Sequence, residues 1–374
     1  MGKKTDFLYL NEAEMIQAGV LDSKHCIDIM DEMFRLMGEG DYVMGGPNSN
    51  EHGIMMHFPK EKDTFPGMPA DGPDRRFMAM IAYLGGRFHI SGVKWYGSNV
   101  VNPKRGLPRS VLMIMLNDPD TCEPIALMSG NLVSAVRTGA IPGVAVRHLA
   151  RKDSKVCAII GAGPVNKACF QAIASEMKEL KKVVVYDLLP EAAENFIHWA
   201  QSTFHIEGVI ASSTEEALRQ ADINSIAASG ISPVEIKNEW IIKGSTTILT
   251  GLSRIEESFW YDSKLVFDNA KMHAAYYTEA HESEDVEEAF NGMIAGRVFS
   301  LIKKGKLPKV ETYPSLGEVA IGKKEGRANE DERLILVTGG MPTEDLAWAY
   351  EVYKKAESMG LGQKLKLWEE PYWS

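Results

Sequence analysis

Two cations stand in apolar surroundings where chemistry is a plausible use for them. Lys94 lies in Ser91-Gly-Val-Lys-Trp-Tyr96, a stretch that reads as a strand otherwise apolar or aromatic. A lysine in that setting could bind a carboxylate, or polarise a carbonyl or imine; its plainer use is on a solvated strand face. Arg137 lies in Ser134-Ala-Val-Arg-Thr-Gly-Ala140, within a long apolar helix. Arginine is the natural bidentate partner for a carboxylate or phosphate, although a helix-surface arginine or a structural ion pair would also fit.

A third element supplies a site for a nucleotide. Lys155–Ile160 is a short apolar run ended by glycine, which suits a buried parallel strand. Gly161 and Gly163 allow a tight turn and close approach of a ligand, where a Cβ would clash. The helical pattern that follows from Pro164-Val165 aims free N–H groups and a positive dipole end at that turn, as a pyrophosphate requires. Val183–Tyr186 reads as the next strand, and Asp187 at its end can accept hydrogen bonds from both ribose hydroxyls of an adenine nucleotide. A lone GxG is common in ordinary turns; strand–GxG–helix–strand–Asp is far more specific. The third glycine of the fingerprint is replaced by Asn166, a change expected to alter helix–sheet packing more than phosphate contact. Leu188 and Leu189 follow Asp187 and no arginine is there to receive a 2′-phosphate, so NAD(H) is expected rather than NADP(H).

The 374 residues allow two domains, each with its own core, and a net charge of −10 argues against nucleic acid or an anionic membrane as the main partner. No apolar run reaches the roughly 18 residues of a membrane span, and Phe7-Leu-Tyr-Leu10 is too short for a signal peptide, so a cytoplasmic protein is expected. Cys26, Cys122, Cys157 and Cys169 are scattered and read as reduced core thiols. His52 and His57 match no usual zinc spacing, and no metal site is expected.

These groups need two kinds of scaffold. Phe77–Leu84, Ile90–Tyr96, Ser110–Leu116 and Pro124–Met128 are strand-like runs joined by short turns, as in an antiparallel sheet. Beyond Lys155, strands and helices alternate, which extends a parallel sheet. The expected fold class is therefore α/β: a Rossmann-type doubly wound domain at 135–310, plus an α+β substrate and dimerisation domain at 1–134 completed by 311–374. Lys60 to Arg76, with three prolines and two glycines, is a long loop and the best lid candidate.

The series Gly92-Val-Lys94, Asn102-Pro…Gly106-Leu-Pro, Leu116-Asn-Asp…Thr121…Glu-Pro, Ala135-Val-Arg137-Thr138 and Gly161-Ala-Gly163 resembles the ornithine cyclodeaminase/mu-crystallin family. The later Leu316-Gly-Glu, Gly326-Arg and Gly340-Met…Glu344-Asp345-Leu-Ala continue the resemblance in order. It implies an NAD-dependent oxidoreductase acting on the C–N bond of an α-amino acid or its imine, and a homodimer. Ornithine or lysine cyclodeamination and a nucleotide-dependent binding protein of the crystallin type are the alternatives, and an amino acid, imine or keto acid is the small-molecule partner.

Carried over by position, the resemblance puts Lys94 and Arg137 on the substrate carboxylate, with Gly340 also at the substrate. It puts Arg137, Thr138, Gly161, Gly163, Pro164, Val165, Asp187, Ser229, Gly251 and Gly339 at the cofactor. Arg109 stands where the family has a threonine contacting cofactor. Ser253 replaces the aspartate that cyclodeaminases use; it stays among the catalytic candidates, although a hydroxyl cannot supply carboxylate acid–base chemistry near neutral pH. Glu256 or Glu257 would then have to stand in for that acid. An early arginine of the family's carboxylate clamp has no counterpart in Gly46–Asn50, and Arg75 or Arg76 is the expected substitute. The lengthened 41–76 segment points to a different or larger substrate.

Overall fold

The computed structural model describes residues 4–61, 64–72, 74–228 and 233–373. The chain divides into two compact units: Met1–Asp22, Gly40–Arg137 and Met341–Ser374 form one, Ser23–Glu39 and Thr138–Gly340 the other. Relative to the expected 135–310 range, the second unit gains 311–340, because the strand Leu334–Val337 is an inner member of its sheet. It also gains the helix Ser23–Glu39, where Gly38 packs so closely on Gly317 that a Cβ would come within 2.3 Å of the Gly317 carbonyl oxygen.

The first unit is an eight-stranded sheet in the order Gln363–Trp368, Thr5–Leu10, Pro124–Ser129, Ser110–Asn117, Ile90–Ser98, Arg76–Leu84 and Tyr42–Met44, with Ile54–His57 also on Arg76–Leu84. Every pairing is antiparallel except that of Thr5–Leu10 with Pro124–Ser129. Alternation along Ser110–Asn117 buries Leu112, Ile114 and Leu116 on one face and exposes Val111, Met113 and Met115 on the other. The helix Pro342–Met359 packs over the buried face, and Gly92 allows its approach: a Cβ there would lie 2.9 Å from Leu346. The Trp348 indole N–H donates to the Val20 carbonyl at 3.1 Å, fixing the same helix to the N-terminal segment. The final strand, Gln363–Trp368, has no counterpart in the sequence expectation; it is exposed at every residue.

The second unit has a seven-stranded sheet in the order Glu207–Ile210, Lys182–Tyr186, Val156–Ile160, Ile223–Ile226, Thr246–Leu249, Leu334–Val337 and Lys264–Phe267, all parallel. Apart from the edge strand Glu207–Ile210 its strands are almost wholly buried, which explains the apolar runs of Val156–Ile160, Lys182–Tyr186 and Leu334–Val337. Chain order reverses between Val156–Ile160 and Ile223–Ile226, the point where open parallel sheets bind nucleotides. Cys26, Cys157 and Cys169 are buried free thiols as expected, but Cys122 is not: it is exposed in the turn between two strands, at φ 64°. None of the helices among the described residues is long and apolar enough to cross a membrane.

Candidate functional site

In the first unit, Lys94 and Arg137 come together on carboxylates supplied by the start of the helix Pro342–Met359. Lys94 Nζ lies 2.5 Å from Asp345 Oδ2, and Arg137 Nε lies 3.0 Å from Asp345 Oδ1. Arg137 Nη1 donates to Glu344 Oε2 as well. Lys94 is not on the solvated strand face that was its plainer reading, and Arg137 is off the helix surface, in the structural ion pair that was its other plain reading: their side chains are 2% and 6% exposed and both carboxylates 0%. Local sequence builds this cluster. Met341 and Pro342 begin the helix, so Glu344 and Asp345 fall in its first turn, where acidic groups oppose the positive dipole end. Asn131 pins the start of Arg137's helix to the sheet, accepting from Leu112 N–H at 2.9 Å and donating to Ser110 C=O at 2.8 Å.

Burial pushes the Lys94 ammonium down to about 8; Asp345 opposes that shift and the Arg137 charge adds to it. For Arg137, burial works the same way but the two carboxylates outweigh it, and its pKa is raised. Lys94 can therefore take up or release a proton near neutral pH, whereas Arg137 stays a fixed charge. A second basic group lies in this unit. Arg76 Nη1 and Arg109 Nε stand 3.1 Å and 2.6 Å from the two oxygens of Asp74. Arg75 instead donates to the Ala70 carbonyl at 2.8 Å.

In the second unit, Gly161 takes φ +89°, and a Cβ there would come within 2.9 Å of Ala228 Cα. Gly251 crowds the same strand end, 3.0 Å from Ala227 Cα by the same construction. Gly163 caps the helix Pro164–Glu176, and among the described residues no side chain caps that N-terminus and none enters the space its Cβ would take. Asp187 is aimed by two backbone N–H groups, Ala162 at 2.6 Å and Leu189 at 2.8 Å. Leu188 and Val165 are exposed beside these groups. The glycine turn, uncapped helix start and oriented carboxylate fit the pyrophosphate and adenosine ribose of NAD(H). Ser229 lies outside the described residues.

Asn166 does more than alter packing. Fully buried, its amide nitrogen donates to the carbonyls of Ile160 at 2.9 Å, Gly161 at 2.7 Å and Ser225 at 3.2 Å, and its oxygen accepts from Ser225 Oγ at 2.6 Å. The residue that replaces the third glycine thus stitches the turn to the neighbouring strand.

Sequence reasoning missed Asp268. Its Oδ2 accepts from the backbone N–H of Gly339 at 2.6 Å and of Gly340 at 3.1 Å; its Oδ1 accepts from Asn269 N–H at 2.7 Å and lies 2.9 Å from His273 Nε2. Burial would raise the Asp268 pKa, but His273 and these N–H groups outweigh it and hold it below the usual carboxylate value. The Gly339–Gly340 turn is therefore held by a buried anion. Ser253 borders an open cavity of about 760 Å³ together with Arg254, Glu256 and Glu257. Its Oγ is buried without a hydrogen-bond partner among the described residues. Glu257 is an unsuitable replacement acid: Lys306 and Tyr261, each at 2.5 Å, and Arg297 at 3.0 Å hold it ionised.

A parallel sheet with a glycine turn at its switch point in one unit, and a mainly antiparallel sheet with buried paired cations in the other, define an α/β protein of the nucleotide-binding type. The chain belongs to the ornithine cyclodeaminase/mu-crystallin family, whose model matches residues 20–360. Over 97% of its length and 99% of the relative's, it is 28% identical to N-((2S)-2-amino-2-carboxyethyl)-L-glutamate dehydrogenase of Staphylococcus aureus. Among solved structures, it resembles Δ1-pyrroline-2-carboxylate reductase of Thermococcus litoralis in complex with NADH and L-proline. That match has a TM-score of 0.77 and 27% identity, covering 96% of this chain and 100% of that one. An archaeal alanine dehydrogenase dimer with bound NAD matches with a TM-score of 0.77 and 26% identity, covering 97% and 100%.

Proposed function

We propose that this protein is an NAD-dependent oxidoreductase acting on the C–N bond of an α-amino acid or its imine. The observation that carries this reading is the buried cluster of Lys94 and Arg137 on Asp345. Burying two cations is costly unless they are paired, and here burial, only partly offset by Asp345, leaves Lys94 with an accessible proton equilibrium. The family membership and the NADH and NAD complexes of structural relatives support the same reading.

Bound NAD(H) supplies a hydride acceptor or donor at C4 of the nicotinamide. In oxidation the Cα–H bond gives its electron pair as hydride and the nitrogen loses a proton, leaving an imine and NADH; reduction runs in reverse. Arg137 and Lys94 hold the substrate carboxylate, which orients Cα, so catalysis is chiefly positioning. Lys94 is the group whose proton affinity suits transfer at the imine nitrogen. Asp187 accepts the adenosine ribose hydroxyls, and Asn166 keeps the glycine turn in the shape that receives the pyrophosphate. Asp268 holds Gly339 and Gly340, the backbone assigned to the nicotinamide and substrate.

The assembly is a homodimer formed through the open face of the first unit's sheet. Ile81, Trp95, Val111, Met113 and Met115 are 46%, 46%, 50%, 41% and 37% exposed there, an apolar patch of the kind that marks a protein interface. The testing experiment is a panel of amino acids, and of 2-oxo acids with amines, offered with NAD(H) and NADP(H) and followed at the NADH band and by mass spectrometry. Amino-acid-dependent NADH formation with the matching imine or 2-oxo product is expected. Cofactor binding without turnover across the panel would overturn the assignment.

A further inference from the structure

The sheet face that carries Lys94 continues past it. Two and four residues along the same strand, Tyr96 and Ser98 share that face, and the cross-strand partner of Ser98 is Arg76. The Arg76 guanidinium lies 5.5 Å from the centre of the Tyr96 ring, whose hydroxyl is 3.0 Å from Ser110 Oγ. Arg76 and Arg109 both lean on Asp74, whose side chain is 9% exposed and whose carbonyl accepts from Ser98 Oγ at 2.8 Å. Two guanidinium groups share one carboxylate, so the group keeps a surplus positive charge. Arg76 Nε is moreover buried with no hydrogen-bond partner among the described residues. A buried donor of that kind is costly unless an acceptor arrives. From Lys94 to Ser98 the strand advances ~13 Å between Cα atoms, and the long arginine side chain shortens the span between charged groups.

We propose that Arg76 and Arg109, gathered on Asp74, form a second anion subsite that takes a distal carboxylate of the substrate. This rests on the reading that Lys94 and Arg137 take the first carboxylate, and it narrows the substrate class. The substrate is then an amine with two well-separated carboxylates, of which an N-(carboxyalkyl) amino acid is the form tested below, rather than a simple monocarboxylic amino acid. Oxidation of an N-(carboxyalkyl) amino acid moves hydride from one Cα to NAD and a proton from the nitrogen to solvent. Water then adds to the imine, and the products are a 2-oxo acid and a primary amine that keeps the other arm.

The test is calorimetric binding to the NADH-saturated protein, with N-(2-amino-2-carboxyethyl)glutamate as the polycarboxylate probe and L-proline as the monocarboxylate one. Arg76→Gln and Arg109→Gln should weaken the polycarboxylate about ten- to a hundredfold more than they weaken L-proline, as loss of a charge-assisted hydrogen bond predicts. Arg109 is more than half exposed, so its substitution spares the fold even if that of Arg76 does not. Equal weakening of both probes, or no change, overturns the subsite. So does a loss of NADH affinity in Arg109→Gln, which would put Arg109 on the cofactor instead. A split in binding without turnover of any probe would leave the subsite standing and sink the oxidoreductase reading; turnover without a split does the opposite.

Discussion

Replacing Asp345 by asparagine tests whether Lys94 is the proton-transferring group. The substitution keeps shape and an acceptor oxygen but removes the charge shared, at 2.5 Å and 3.0 Å, by Lys94 and Arg137. Lys94 stands at about 8 because burial and the Arg137 charge lower it while Asp345 holds it up. Without that carboxylate charge the two lowering influences are opposed only by the charge of Glu344. A charge-assisted hydrogen bond contributes about 1–2 kcal/mol more than a neutral one, which corresponds to roughly one pKa unit. With Lys94 as the acid in imine reduction, kcat/KM should fall on an alkaline limb near its pKa, and in Asp345→Asn that limb should move about one unit toward acid. A primary isotope effect with deuterated NADH establishes that the limb reports the hydride step. The opposite perturbation sharpens the test: in Arg137→Met, residual activity should show the limb moved toward alkali, since the neighbouring positive charge is gone. A limb that stays in place in Asp345→Asn, with rate alone reduced, would show that the carboxylate only organises the cluster and that some other group moves the proton.

Four further outcomes follow from the geometry. Between about pH 8 and 10.5 the unfolded chain binds more protons at Lys94 than the folded one does, so this residue makes unfolding free energy rise with pH across that window; urea titrations should find the rise reduced in Lys94→Met. Asn166→Ala removes the acceptor of the Ser225 hydroxyl and a donor to the Gly161 and Ser225 carbonyls, at about 1–3 kcal/mol for each group left unsatisfied, while the Ile160 carbonyl keeps the Ala227 N–H at 3.1 Å; both thermal stability and NADH affinity should drop. Asp268→Asn puts a donor where an acceptor receives the Gly339 and Gly340 N–H groups, and kcat should fall with little change in adenine-nucleotide affinity measured with ADP-ribose. Asp187→Ser combined with Leu188→Arg removes the ribose acceptor and adds a 2′-phosphate partner, so the NADH to NADPH affinity ratio measured by fluorescence should invert.

Much of this architecture is written locally in the chain. The parallel sheet is legible because strands such as Val156–Ile160 and Lys182–Tyr186 are buried on both faces and therefore apolar, and because Gly161 must adopt a left-handed conformation against Ala228; Ile223–Ile226 and Thr246–Leu249 are as buried but carry Asn224, Ser225, Thr246 and Thr247. Lys94 and Arg137 were visible as charges in apolar company, but their partners were not. Asp345 is 251 residues from Lys94 in sequence, in the first turn of a helix where an acidic residue ordinarily serves the dipole. Asp268 is hidden for a similar reason: an aspartate at a strand end reads as a solvated turn, and only the fold brings Gly339 and Gly340 onto it. The Gln363–Trp368 strand was missed although Lys364-Leu-Lys-Leu367 alternates polar and apolar residues at the period of a strand; every residue of it is exposed, so burial does not reinforce that signal.

These omissions share a cause with physical content. Local patterns report which side of an element is dry, so they find cations that have no business being buried. The anions that make such burial tolerable come from distant segments whose own patterns are satisfied another way. Asp345 contacts both Lys94 and Arg137, so the spacing of the two cations is set by one carboxylate and the helix that carries it rather than by their own strand and helix alone. A change in that helix start therefore alters the proposed carboxylate recognition and the Lys94 proton affinity together, and the kinetic separation of the two requires the pH profile rather than a rate at one pH.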